Sequence, residues 1–358
     1  MNASEIVIAA LVHTPGMTPT RLRALLQRWP DPHVAYERVR ARRADTALGT
    51  PPNIDALAQL LTQRSTRVLL ETDAAFPIPD PIPDRPLALF CEGGATDAFA
   101  QPRVAIVGTR AATPAGLADA HTLGAWCAQQ HITTVSGMAL GIDGAAHTGT
   151  LDAQGLSIGV LATGLDVTYP RRHIDLYARM RSHGLLISES PLGTRPHAGR
   201  FPVRNRIIAA LADVVVVVEA TASGGARITA DLALEYGRPV FAIPGARRNP
   251  SAAGCNALLA DGAHPLLDPT DLLPSLGGPL RQPEGWDVRA TAALSASARA
   301  VLRACDGEPT TSDALGVHTE LDAAALALAL DELAAAGHIA RTRGLIHPLT
   351  DLRADTPA

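Results

Sequence analysis

The chain has 358 residues, of which 47% are hydrophobic, so we expect two or three folded domains and exclude wholesale disorder. Its formal net charge is −4, which excludes a basic coat over the whole surface. Any binding of nucleic acid must therefore depend on local positive charge. All 31 Lys+Arg residues are arginine, whose planar guanidinium suits phosphate binding and stacking on bases.

The cysteines and the hydropathy pattern bear on where the protein works. Four cysteines lie far apart without a Cys-x-x-Cys motif, at positions 91, 127, 255 and 305. This spacing predicts neither a structural zinc site nor a disulfide framework, and it fits the reducing cytoplasm. No basic segment precedes the apolar run 6–12, and no charge-free apolar stretch approaches the length of a membrane span. We therefore expect a cytoplasmic protein with no secretory signal and no membrane contact.

Residues 1–85 are predicted to form a helical domain. Hydrophobic periodicity predicts helices over 4–12, 18–29 and 53–63. The stretch 14–20, Thr-Pro-Gly-Met-Thr-Pro-Thr, predicts a turn followed by a threonine N-cap. The arrangement is compatible with a helix-hairpin-helix or SAM-like module that touches DNA phosphates, and equally with a small packing domain. The Pro-rich stretch 76–86 then predicts an extended connector.

Residues 86–273 show a different pattern, in which short apolar runs alternate with helical segments. Gly, Ser or Pro follows each run within five residues and a helix-like stretch comes next, which is typical of consecutive βαβ units. We therefore predict an α/β domain with a Rossmann-like parallel sheet covered on both faces. The predicted strands are 104–107, 132–136, 157–162, 185–188, 214–218 and 240–243.

Residues 274–292, rich in Gly and Pro, predict a linker, and residues 293–350 predict a winged-helix domain. The final block has three helical patterns followed by a hairpin around Arg343-Gly344. Such a domain could read double-stranded DNA in a regulator. However, the predicted recognition helix 320–336 carries four acidic residues and no Arg, and these would repel phosphates. Contact with a protein or packing within the chain is the better interpretation, with Arg341 and Arg343 as the basic residues of the wing.

Two strand-end loops predict binding of an anion, because ligands of open parallel sheets bind beyond the carboxyl ends of the strands. The first is Gly108-Thr109-Arg110, which combines backbone access, a hydroxyl and a guanidinium. The second begins with Ser136-Gly137 and opens a helix. Tight turns and close helix packing would explain the same glycines. No G-x-G-x-x-G motif is present at the first loop, so no dinucleotide cofactor is expected.

The loop 194–206 carries the strongest local positive charge. It contains Arg195, Arg200, Arg204 and Arg206, no acidic residue, and the lone aromatic Phe201. Arginines around one aromatic ring are a way to bind single strands without reading their sequence. We expect Arg204 and Arg206 to open a helix, where cations are disfavoured unless an anion is bound. A solvated loop with its Phe buried in the core is the alternative.

A fourth loop, Ser223-Gly224-Gly225, follows the strand 214–218 and again opens a predicted helix. Arg247 lies just beyond the next strand end. Together with the other loops, these residues would make one edge of the sheet attractive to anions.

These loops together resemble the DNA-processing protein A (DprA/Smf) family over about residues 104–267. The resemblance rests on the following stretches: 108–110, 136–147, 164–166 with 169–170, 188–189, 201–209, 219–220, 223–224 with 228–230, 244–245 and 254–256. It departs from the family pattern at Leu140, often Arg, at His173, where Asn is expected, and at Ala210, usually Gly. The departure at Leu140 puts one phosphate contact in doubt.

The resemblance implies an extended Rossmann fold that forms a homodimer and binds single-stranded DNA during natural transformation. It also implies delivery of that DNA to the RecA recombinase. The implied DNA contacts are Gly108, Arg110, Phe201, Arg204, Asn205, Arg206, Ser223 and Gly224. The flanking regions resemble the SAM-like and winged-helix domains of many members.

No arrangement of residues predicts an enzyme. No Ser/His/Asp or Cys/His set and no metal-spaced cluster stands out, so we expect no catalytic residue, no metal, no cofactor and no small-molecule substrate. The strand-end carboxylates Asp143, Asp166, Glu189 and Glu219 are interpreted as hydrogen-bond acceptors or charge partners. The alternative is a Rossmann-type nucleotide phosphoribohydrolase. The stretch 223–231 lacks the Gly-Thr of that class and has Asp231 where a catalytic Glu would stand.

Overall fold

The computed structural model describes residues 2–42, 44–45, 47–276, 294–305, 310–336, 338–342 and 345–348. The chain divides into two units, Met1–Leu266 and Leu267–Ala358. Most of the predicted linker, from 277 to 292, and the predicted wing residues Arg343-Gly344 lie outside the described residues, so both stay predictions.

The first unit begins with helices and continues as an α/β domain. Its helices are α1 (Ala3–Val12), α2 (Pro19–Arg28), α3 (Pro32–Arg40), α4 (Ile54–Gln63), α5 (Pro114–Gln129), α6 (Ile142–Asp152), α7 (Ile174–His183), α8 (Arg200–Leu211), α9 (Gly225–Glu235) and α10 (Ala253–Ala260). Its strands are β1 (Arg67–Leu70), β2 (Ala88–Glu92), β3 (Arg103–Val107), β4 (Thr133–Ser136), β5 (Ser157–Leu161), β6 (Leu185–Ser188), β7 (Val214–Val217), β8 (Val240–Ala242) and β9 (His264–Pro265).

The strands form one sheet in the order β1-β2-β6-β5-β4-β3-β7-β8-β9. From β6 to β9 all neighbours are parallel, whereas β2 pairs antiparallel with both β1 and β6. The prediction of an α/β fold with a large, mostly parallel sheet is confirmed, and all six predicted strands are present. Strand β1 lies inside the segment that we predicted to be helical, and helix α3 was not predicted.

Helices cover both faces of the sheet, as the strand sequences require. The four valines of β7 are all buried, which is typical of a central strand with two covered faces. On β6, Leu185 and Ile187 join the core that includes α8, α9 and α10, whereas Leu186 joins the core that includes α1 and α7. The alternation follows from the two-residue period of a strand.

The helical N-terminal part packs directly into this second core. Helix α1 is held at its start by a capping box between Asn2 and Glu5, and its residues Ile6 to Leu11 are buried. The predicted threonine N-cap of α2 is present, because Thr18 Oγ1 accepts a hydrogen bond from the Arg21 amide at 3.2 Å. The turn between α1 and α2 is thereby fixed beside the carboxyl end of β6, where it borders a cavity with Glu189.

The second unit has its own small core. Among its described residues it contains a 3-10 helix (Pro269–Leu276), α11 (Ala296–Ala304), β10 (Thr310–Thr311), α12 (Ser312–Thr319), α13 (Ala323–Ala335), β11 (Ile339–Thr342) and β12 (Leu345–Pro348). Strand β12 pairs antiparallel with both β10 and β11. Leu302 of α11, Leu315 of α12 and Leu330 of α13 pack together in the core. The element order is helix, strand, helix, helix, hairpin.

Candidate functional site

A cavity of about 850 Å³ opens at the carboxyl edge of the sheet. It is bounded by the loops that follow β3, β4 and β7 and by the first turns of α8 and α9. Parallel strands place these loops at one edge, which is where ligands of open α/β sheets bind. The predicted site residues that line the cavity are Gly108, Thr109, Arg110, Phe201, Arg204, Asn205, Gly224 and Gly225.

The loop after β3 needs glycine because the chain packs tightly there. A Cβ atom at Gly108 would lie 2.4 Å from Ile142 Cγ1 and 2.8 Å from the carbonyl oxygen of Glu219. The next amide, that of Thr109, donates to the same Glu219 carbonyl at 2.7 Å. This packing brings the loop against α6 and leaves the side chain of Arg110 exposed at the cavity.

Arg110, Phe201 and Tyr169 form a stack at the cavity wall. The Arg110 Cζ atom lies 4.8 Å from the centroid of the Phe201 ring. The Tyr169 ring is tilted by 36° to that of Phe201, with 5.6 Å between centroids. Phe201 is half-buried, so it is neither a free platform nor a core residue. Guanidinium and aromatic rings together provide surfaces for both the phosphates and the bases of a nucleic acid.

Arg204 lines the cavity, as expected for a predicted DNA contact, but it is buried with only 6% of its surface exposed. Its Nη1 donates to the Gly137 carbonyl at 2.5 Å and also to the Val160 carbonyl, and its Nε donates to Asn205 Oδ1 at 3.2 Å. Burial lowers the pKa of Arg204, while the nearby Asp143 raises it. The guanidinium is therefore held by interior carbonyl oxygens at the cavity floor, which favours a positioning role over direct phosphate contact.

Gly137 and Ser136 of the second predicted loop pack in the same buried region as Arg204. A Cβ atom at Gly137 would lie 2.6 Å from Nη2 of Arg204, so glycine here makes room for that guanidinium. Ser136 is fully buried, and its hydroxyl donates to the Ile106 carbonyl at 2.6 Å. Neither Ser136 nor Gly137 lines the cavity. This favours the interpretation that the glycine allows close packing over the interpretation that the loop binds an anion directly.

Helix α8 begins at Arg200, four residues earlier than the sequence analysis placed it. The prediction that Arg204 and Arg206 open the helix is therefore wrong. Pro202 fits the first turn because its missing N–H has no intrahelical partner there. Arg206 lies beyond that turn and pairs with Glu189, with 2.5 Å between Nη2 and Oε2. Burial raises the pKa of Glu189, and this arginine opposes the rise.

The remaining predicted residues surround the cavity or lie outside it. Asn205 Nδ2 donates to the Gly225 carbonyl at 3.3 Å and so ties α8 to the start of α9. Gly224 is the N-cap of α9, and a Cβ atom at Gly225 would have no neighbour within 4 Å. The exposed residues that do not line this cavity are Arg195, Arg200, Ser223 and Arg247.

Sequence reasoning missed Tyr169 as a site residue. The side chain is 39% exposed and lines the cavity. Its position could have been inferred, since Tyr169-Pro170 follows the end of β5 at the same sheet edge as the other loops. The backbone of 196–198 also lines the cavity, within the Arg-rich loop that the sequence had singled out.

The four strand-end carboxylates accept hydrogen bonds from neighbouring groups. Asp143 accepts from the amides of residues 137 and 139 at 3.1 and 3.3 Å, and its pKa is raised by burial against the opposing charge of Arg204. Glu219 accepts from the amide and hydroxyl of Thr113 at 2.9 and 2.5 Å. Asp166 accepts from the Gly193 amide at 2.8 Å. With Glu189 paired to an arginine, all four have structural partners.

The described part of the chain lacks two further features. No group of three His, Cys, Asp or Glu side chains there is placed to hold a metal ion. Over the same residues, no helix combines the length and the hydropathy needed to cross a bilayer.

The fold and the cavity define an α/β protein with a large, mostly parallel sheet and an open cavity at the carboxyl edge of that sheet. Comparison with known proteins then identifies its family. The model of the family described as DNA recombination-mediator protein A matches residues 67–277, and the chain belongs to this family.

Individual relatives agree with this assignment. A DprA-type DNA processing protein of Mycobacterium tuberculosis is 37% identical over 326 residues, covering 85% of this chain and 84% of the relative. The Smf protein of Escherichia coli is 42% identical over 194 residues, 54% of this chain and 52% of its own. Among solved structures, DNA processing protein A of Streptococcus pneumoniae matches with a TM-score of 0.64 and 29% identity, over 77% of this chain and 98% of that one.

Another solved structure concerns the binding of single-stranded DNA. DNA processing protein A of Helicobacter pylori, whose single-stranded DNA binding mode was determined, matches with a TM-score of 0.53 and 31% identity. The match covers 59% of this chain and 95% of that one.

Proposed function

We propose that this chain binds single-stranded DNA in the cavity at the carboxyl edge of the sheet. The observation that carries the proposal is the stack of Arg110, Phe201 and Tyr169 beside the open first turn of α9. A flexible strand can present both phosphates and unstacked bases to such a surface, whereas the paired bases of a duplex are stacked on each other. The DNA binding of the Helicobacter pylori relative supports the proposal.

The proposed DNA-binding residues fall into three groups according to where they lie relative to the cavity. Gly108, Thr109, Arg110, Phe201, Asn205, Gly224 and Gly225 line the cavity and would contact the strand. Arg195, Arg200, Ser223 and Arg247 are exposed near it and would guide the phosphates entering or leaving. Ser136, Gly137 and Arg204 would act by shaping the floor, and Arg206 would act through its pairing with Glu189.

The wider role that we propose comes from the family. The chain would protect incoming DNA in natural transformation and load RecA recombinase onto it, acting as a cytoplasmic homodimer without catalysing a reaction. The helical part up to residue 85 would be a SAM-like module, and residues 293–350 a winged helix. RecA loading can be tested with single-stranded DNA to which this chain is bound. The chain should increase the rate at which RecA hydrolyses ATP on that DNA.

The nucleotide phosphoribohydrolase is not favoured. Asp231, the residue that would replace its catalytic glutamate, is exposed on α9 and does not line the cavity. The family assignment also leads to DNA and away from mononucleotides.

The test of the proposed function is a gel shift with single-stranded and double-stranded oligonucleotides of equal length, repeated over a salt series. We expect the single strand to bind more tightly, with a log-affinity that falls linearly with log salt by about 0.7 per phosphate contact. Equal binding of the duplex, or release of adenine from AMP, would contradict the proposal.

A further inference from the structure

A second cavity, of about 430 Å³, lies between the turn joining α1 to α2 and the end of β6. Its walls combine apolar side chains, among them Met17, Leu22 and Val203, with polar and charged ones that include Glu189 and Arg200. Its volume lies within the range of roughly 300–1,000 Å³ that is typical of small-ligand sites. Of the DNA contacts proposed above, Arg200 lines this cavity, and the others do not.

The second cavity continues the first along the same edge of the sheet. Helix α8 separates the two cavities, and residues of its first turn line both of them. Phe201 and Pro202 line the first cavity, whereas Arg200 and Val203 line the second. Residues 200 and 203 share one side of a helix, so the division follows from the helical period. A strand that crosses this turn therefore passes from one cavity into the other.

The chemistry of the second cavity differs from that of the first. Glu189 is the carboxylate in its wall, and its side chain is only 16% exposed. Arg206 donates to Oε2, while Oε1 accepts no hydrogen bond from the described part of the chain. Apolar side chains beside a buried acceptor suit a flat ring that carries N–H donors, and the open lone pairs of Oε1 favour such a donor over a phosphate oxygen.

We propose that the second cavity is a base-recognition subsite, in which Glu189 accepts a hydrogen bond from the exocyclic amino group of a DNA base. The inference rests on the proposed binding of single-stranded DNA and adds a base preference to it. Cytosine presents an amino donor at N4, whereas thymine presents a carbonyl oxygen at the same position. The carboxylate would attract the first base and repel the second, although the two rings are almost equal in size.

The test compares oligo(dC) with oligo(dT) of equal length by fluorescence anisotropy. We expect the wild-type chain to bind oligo(dC) about tenfold more tightly, the scale of one base-specific hydrogen-bonded contact. Glu189→Gln preserves shape and can still accept from Arg206, but its amide can also donate to thymine O4. This variant should therefore bring the ratio of the two affinities close to one.

A second variant tests the cavity itself. Val203 is 51% exposed, so Val203→Trp can fill the second cavity from α8 without disturbing the core. It should lower the affinity for oligo(dC) to that for oligo(dT). Val34→Trp on α3, where the valine is 43% exposed, is the matched control and should leave the ratio unchanged.

The outcomes separate the two proposals. Equal wild-type affinity for oligo(dC) and oligo(dT) would overturn the base-recognition subsite while leaving single-strand binding in place. A preference that survives in both Glu189→Gln and Val203→Trp, with both variants folded by thermal unfolding, would also overturn it. Failure of the wild-type chain to bind either oligonucleotide would overturn the proposed function and the subsite together.

Discussion

The guanidinium of Arg110 lies over the ring of Phe201, with its Cζ 4.8 Å from the ring centroid. Such a contact contributes only about 0.5–1 kcal/mol at an exposed site. A DNA phosphate that pairs with Arg110 could draw the guanidinium away at little cost, and this movement would uncover the ring for a base. We therefore expect the arginine and the phenylalanine to make separable contributions to binding, one electrostatic and one by stacking.

The electrostatic contribution is tested by Arg110→Ala. We expect weaker binding to all single strands and a log-affinity against log-salt slope that is shallower by about 0.7, because one phosphate contact and its released counterion are lost. Anisotropy titrations over a salt series measure both. Arg40→Ala on α3 removes an exposed arginine outside the cavity and should leave the slope unchanged. If Arg110→Ala keeps the wild-type slope, this arginine does not contact phosphate.

The stacking contribution is tested by Phe201→Ala. We expect a loss of about 1–3 kcal/mol in binding free energy with an unchanged salt slope, since stacking releases no counterions. Phe201→Tyr, which keeps the aromatic face, should retain most of the affinity. Equal binding by wild type and Phe201→Ala would show that the ring only supports Arg110 and Tyr169.

Arg204 should behave differently from Arg110. Arg204→Ala removes the donor that two buried backbone carbonyls share and leaves Asp143 without its opposing charge, so we expect the free energy of unfolding to fall by about 3–5 kcal/mol. Urea unfolding measures the loss. The fraction that remains folded should bind with the wild-type salt slope. A fully stable Arg204→Ala variant would contradict the buried position of this guanidinium.

The pH dependence of stability should depend on His147. Burial, together with the nearby positive charge of Arg204, lowers the pKa of His147 to about 3. Below about pH 6.5 the unfolded chain binds a proton that the folded chain does not, so stability present above this pH is lost as the pH falls toward 3.

Urea unfolding at pH 7 and pH 5.5 tests this dependence. The wild-type loss between these values should exceed that of His147→Gln by about 1 kcal/mol, even though the variant is less stable at both. Identical losses in the two proteins would mean that His147 is protonated in the folded chain.

The sequence was most informative where structure is set locally. Short apolar runs that alternate with helix-like segments predicted the six central strands, and a threonine before a periodic segment predicted the start of α2. It was least informative where distant contacts decide. Strand β1 depends on its pairing with β2. A four-residue run within a region of helical pattern gives no sequence signal of that pairing.

The site residues also divide into those predictable from local sequence and those that depend on distant contacts. The loops at the sheet edge were found from their glycines and arginines. A charged side chain is expected to be exposed, however, and the burial of Arg204 depends on carbonyls of residues 137 and 160, which only the fold brings near. The pairing of Arg206 with Glu189 is likewise a contact between separate elements.

The most direct test of the central claim is ultraviolet cross-linking of the wild-type chain to oligo(dT), with the attachment sites identified by mass spectrometry. Bases that stack in the cavity should be attached to Phe201 or Tyr169, and the cross-links should disappear at high salt as the strand dissociates. Cross-links confined to the second unit, with none at these two rings, would contradict the account.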